Sequence, residues 1–89
     1  MVENNVVPVL PDYVIRINAS NFAESDKMWL LFAIQAVKAQ LSGLDLVGLT
    51  HENERTRYNL NVLLPVLLSV ETNSQLEYAR SLWTGLKHQ

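Results

Sequence analysis

The sequence predicts an α+β fold, a small antiparallel or mixed sheet in the order strand-helix-strand-strand-helix with both helices on one face. Three observations carry this expectation. Residues 22–42 run without glycine or proline at helical spacing. The segment DYVIRIN, from Asp12, and the segment from Arg57 to Leu64 both alternate with a period of two. Between the second of these and the apolar run before it stand the five polar residues HENER, 51–55, which read as the connection of a hairpin. The alternative is a mainly α chain in which residues 51–70 are helical, with Thr50 as a cap and Pro65 opening a further helix.

Taken in chain order, residues 1–11 read as an extended N-terminal arm, because Pro8 and Pro11 remove backbone donors and disfavour helix before them. A single domain then occupies 12–89. In DYVIRIN, Tyr13, Ile15 and Ile17 alternate with Val14 and Arg16, and this short β-branched and aromatic stretch fits a strand. Asn21 is placed to cap the next element, with Glu24 three residues on to return the hydrogen bond. Phe22, Trp29, Leu30, Ala33, Val37 and Leu41 share one arc of that helix, and Gly43 stands where a left-handed cap is wanted. The opposite side carries Glu24, Lys27, Gln35, Lys38 and Ser42, with Leu31 among them and Met28 at the edge.

A short strand is expected around Leu44–Thr50. For the stretch after HENER, a helix would have no apolar residue in its first two turns and would then be apolar all round. Pro65 would interrupt its hydrogen-bond ladder at ~3 kcal/mol. A strand places Tyr58, Leu60, Val62 and Leu64 on one face and is the preferred reading. VLLSVET, after Pro65, is a further short strand or a buried turn. Ser74 and Glu77 form an S-x-x-E capping box for a last helix, Gln75–Lys87, whose inner stripe is Leu76, Ala79, Leu82 or Trp83, and Leu86.

Composition narrows the function classes more than any motif does. The chain has 89 residues and no cysteine, so neither a disulfide nor a thiolate is available. A net charge of −2 says little about partners beyond lacking the strongly basic balance that would suggest nucleic acid. The N-terminus lacks the basic and continuous apolar regions of a signal peptide. The runs MWLLFAI and VLLPVLLSV are far below the ~20 residues that span a bilayer. These features together suggest a cytoplasmic protein with no membrane association. Asn18-Ala19-Ser20 matches a glycosylation acceptor, which outside a secretory context is a chance match.

No stretch carries a catalytic motif. His51, Glu52 and Glu54 are close in sequence, but they fit a solvated hairpin tip better than a metal shell, which needs several convergent ligands. His88 lies in the tail, and the three glycines, 43, 48 and 85, are too scattered for a phosphate loop. The expectation is therefore no catalytic residue, no metal and no cofactor. Arg55 and Arg57 beside Tyr58 could hold phosphate and stack a base, but Glu52 and Glu54 share that loop and offset its field.

What stands out is an apolar surplus. Hydrophobic residues make up 48% of the chain and charged residues only 18%, against ~25% in an ordinary domain. For a chain this small, the surplus points to burial against a second chain. The reading is a non-enzymatic interaction or regulatory module that forms a homodimer or pairs with another protein. Met28, Leu31, Leu63, Val66 and Leu68 are its interface candidates. The runner-up is a nucleic-acid accessory protein using Arg55, Arg57 and Tyr58.

Overall fold

The computed structural model describes residues 10–48, 50, 51 and 53–87. Their regular structure is α-helical: α1 (Asp12–Ala19), α2 (Glu24–Val47), α3 (Glu54–Leu68) and α4 (Asn73–Lys87). No strand occurs among the described residues. The α+β expectation is therefore corrected to an all-α fold, the alternative set beside it. The arm expected at 1–11 lies outside the described residues up to position 9.

Each strand expectation fails for an identifiable reason. In α1, Ile17 is buried while Ile15 points out, so the inward residues Tyr13, Val14 and Ile17 follow helical spacing rather than alternation. Pro11 precedes the helix, where a missing N–H does no harm, and its carbonyl accepts the N–H of Val14 at 3.0 Å. Arg16 lies half-buried on α1 and donates from its guanidinium to the carbonyls of Leu68 and of Val70, the latter at 2.8 Å. A cation is thereby brought to the C-terminus of α3, where the helix dipole favours it and unpaired carbonyls need donors.

α2 runs beyond the expected end at Ser42, through Gly43, and takes in most of the strand expected at 44–50. Interior glycine costs ~1 kcal/mol against alanine. Leu44, partly buried against the core one residue later, offsets this with part of the ~1.5–3 kcal/mol of a fully buried leucine. The terminating glycine is Gly48, whose φ of 81° lies in the region that favours glycine. At the other end Ala23, not Asn21, precedes the first helical residue, and no side chain caps it.

The segment that followed the expected hairpin is α3. Leu60, Leu63 and Leu67 are buried at helical spacing, while Tyr58 and Val62, which a strand would place on one face with Leu60, point outward. Three buried leucines contribute roughly 6 kcal/mol of gross transfer free energy, about twice what a proline in a helix interior removes. Pro65 is also exposed and leaves only the carbonyl of exposed Asn61 without its partner, within reach of water. Of HENER, His51 and Asn53 stand in the turn before α3, and Glu54 and Arg55 begin its exposed first turn. There Thr50 and Asn53 exchange hydrogen bonds: the Thr50 N–H donates to Asn53 Oδ1 at 2.8 Å, and the Asn53 N–H to Thr50 Oγ1 at 3.2 Å.

VLLSVET contains the end of α3 and a turn that buries Val70. The last helix forms as expected, but its cap lies two residues earlier. Gln75 N–H donates to Thr72 Oγ1 at 3.2 Å, and Gln75 Oε1 accepts from the N–H groups of Thr72 and Glu71. This is the capping-box geometry, built on Thr72 and Gln75 rather than Ser74 and Glu77.

The core joins Ile17 of α1, Leu30, Ala33, Ile34 and Val37 of α2, the α3 leucines, Val70, and Leu76 and Ala79 of α4. Among the described residues no polar or charged side chain is buried in it. α2 is the central element, with α1 and α3 packed along it and α4 against α3. α4 also reaches α2: Arg80 donates to Asp26 at 2.6 Å and lies over the Trp29 ring at 4.7 Å, while Trp29 and Trp83 meet edge to face.

Candidate interaction surface

The inward face of α2 is set by Leu30, Ala33, Ile34 and Val37, and α1, α3 and α4 occupy its flanks. Among the described residues, that leaves one face of the helix bare along nearly its whole length. Met28, Phe32, Gln35, Ala39, Ser42 and Leu46 lie on it, each exposed and none charged. Met28 is 69% exposed, Phe32 64% and Leu46 89%, so three of the largest apolar side chains of the helix are open to solvent together. A surface helix ordinarily turns a charged or polar face outward, and one that is apolar all round is ordinarily covered. The charges of α2 sit at the ends and flanks of the bare face. Lys27 pairs with Glu24 at 3.3 Å, Lys38 lies over Tyr13 at 5.1 Å from the ring centre, and Asp45 pairs with Arg57 at 2.7 Å.

The interface candidates separate on this surface. Met28 stands on the bare face. Leu31 is half-buried beside it, with Val66 and Leu68 likewise partly buried against the core. Leu63 is fully buried in the chain's own core and presents nothing to a partner. Phe32 and Leu46 are absent from the candidates, because the sequence predicts a helix that stops at Ser42 with a polar outer side. The spacing of the six residues, alternately four and three, is the available signal: it is the seam pattern of a helix that packs lengthwise on another.

The remaining candidates are dispersed. Arg57 is held against Asp45, with its Nε enclosed and without a hydrogen-bond acceptor. Arg55 and Tyr58 are exposed on the outer side of α3. His51 Nδ1 lies 3.9 Å from a Glu54 oxygen, both side chains in solvent, and Glu52 and His88 lie outside the described residues. No group of three or more metal-ligating side chains occurs among the described residues. A shallow cleft of about 340 Å³ lies between the α1–α2 and α3–α4 turns, lined by Ser20, Asn21, Phe22, Glu71, Thr72 and Asn73.

α2 also revises the reading of the apolar runs as too short to span a bilayer. At 24 residues, with a mean hydropathy of 1.4 over an 18-residue window, it is long and apolar enough to cross by length and composition alone. The core helix of a soluble protein meets the same condition.

No protein-family model, curated protein or solved structure matches the chain.

Proposed function

We propose that the chain is a small helical protein–protein interaction module, without chemistry of its own, that self-associates through the outer face of α2. The observation that supports this reading is the uncharged strip from Met28 to Leu46, with Met28, Phe32 and Leu46 open to solvent on a helix whose opposite side is already the core. Covering it removes apolar area from water without burying a charge, the condition under which association is favourable. The charged residues Asp26, Lys27 and Asp45 lie off this strip and are already paired, with Arg80, Glu24 and Arg57, so covering the face separates none of these pairs.

Light scattering behind a sizing column, from micromolar to millimolar concentration, tests the proposal. The expected mass rises toward twice 10.1 kDa with concentration. Phe32→Glu returns it to the single-chain value with helical circular dichroism intact, because a carboxylate is costly in a covered face and harmless in a solvated one. A single-chain mass throughout that range refutes self-association. Recruitment to neutral phospholipid vesicles at the expense of the dimer would assign the face to a lipid surface instead.

A further inference from the structure

The same face specifies how two copies meet, once the self-association proposed above is granted. We infer that α2 pairs with α2 of a second copy in antiparallel orientation about a two-fold axis, in a register that sets Phe32 opposite Ser42 of the other chain.

The four-three spacing of Met28, Phe32, Gln35, Ala39, Ser42 and Leu46 keeps these residues on one seam over roughly 27 Å, at ~1.5 Å per residue. The orientation follows from their sizes. Large residues stand at the N-terminal end of the seam, small ones in its C-terminal half, and Leu46 closes it. In a parallel pair each residue meets its own copy, so Phe32 crowds Phe32 while Ser42 faces Ser42 across a gap. Antiparallel pairing about the seam's midpoint matches Met28 with Leu46, Phe32 with Ser42 and Gln35 with Ala39, each twice. Gly43, exposed and open around its Cα, lies beside Ser42 and deepens the space available to the phenyl ring. Large-against-small layers are what close helix packing requires.

Two further features agree. The two Gln35 amides fall near the axis, where each has both the donor and the acceptor the other needs, and one central polar pair is a recognised means of holding a register. The two Lys38 side chains lie near the axis on one flank, the like-charge approach among the described residues of α2 in this arrangement. Each is already drawn toward its own α1 by Tyr13 and remains in solvent.

The area is that of a reversible dimer. Met28, Phe32 and Leu46 leave on the order of 400 Å² open, at roughly 200 Å² for a large side chain. Gln35, Ala39, Ser42 and Gly43 widen the strip toward the ~600 Å² per partner at the lower end of specific interfaces.

The absence of cysteine makes the test direct, since any introduced thiol is labelled alone. Ser25→Cys and Ala36→Cys, each carrying a nitroxide, report inter-chain distances by pulsed electron resonance on the full chain. Antiparallel pairing places the Ser25 positions ~36 Å apart along the axis and the Ala36 positions within ~15 Å of each other. A short distance at both positions means a parallel pair and overturns this inference while leaving the proposed function standing. Long distances at both in a chain that still measures as a dimer place the contact away from this face and overturn both. So does a chain that stays single.

Discussion

Arg16 offers a perturbation whose size can be worked from the structure. Its guanidinium leaves the middle of α1 and donates to Leu68 and Val70, the last carbonyl of α3 and the second residue after it. Arg16→Met keeps most of the apolar stem and removes only the fork. Hydrogen bonds to a charged group contribute ~1.5–3 kcal/mol each, and a cation at a helix C-terminus a further ~0.3–1. Arg16 is only partly buried, so solvent screens some of this, and the expected loss is about 2–3 kcal/mol. In a domain of this size that corresponds to a fall in Tm of roughly 10–15 °C. The assay is urea unfolding followed by circular dichroism at one fixed protein concentration, since association would otherwise shift the midpoint. Arg16→Lys should recover less than half the loss, because an ammonium is a point charge and does not match a two-carbonyl fork. If Arg16→Met unfolds within ~0.5 kcal/mol of the parent, the guanidinium does not join α1 to α3 and the reasoning is wrong.

Two more expectations concern stability. Thr72→Ala and Gln75→Ala should each destabilise by ~1 kcal/mol in thermal unfolding, while Ser74→Ala and Glu77→Ala stay within ~0.5, because the first pair makes the cap of α4 and the second faces solvent. Leu63→Ala should lower the denaturation midpoint by ~2–5 kcal/mol of stability, and by the same amount at every protein concentration, as befits a residue of the chain's own core rather than of a contact between copies. A concentration-dependent effect would return it to the interface.

Two of the four helices are legible in the sequence, α4 and α2 as far as Ser42, where two signals agree. The segments of α2 and α4 lack proline and carry an apolar stripe at helical spacing, so local propensity and burial agree. The surplus of apolar residues over charged ones is equally plain from composition. At α1 and α3 the signals conflict, and contacts distant in the chain decide. DYVIRIN has the propensity of a strand, but with Leu44–Val47 and Tyr58–Leu64 helical it has no neighbour to pair with. As a helix it satisfies its own backbone, buries Ile17 and delivers Arg16 to α3. In Tyr58–Leu68, alternation and helical spacing coexist, since Leu60 and Leu64 belong to both patterns. The choice falls to whichever buries more, and as a helix the segment brings Leu60, Leu63 and Leu67 into one core with Ala33, Ile34 and Val37 of α2. The exposed strip was written in the spacing from Met28 to Leu46. That it is bare follows only from the placement of α1, α3 and α4 on the other sides of α2, because exposure depends on what packs nearby and not on the residue itself.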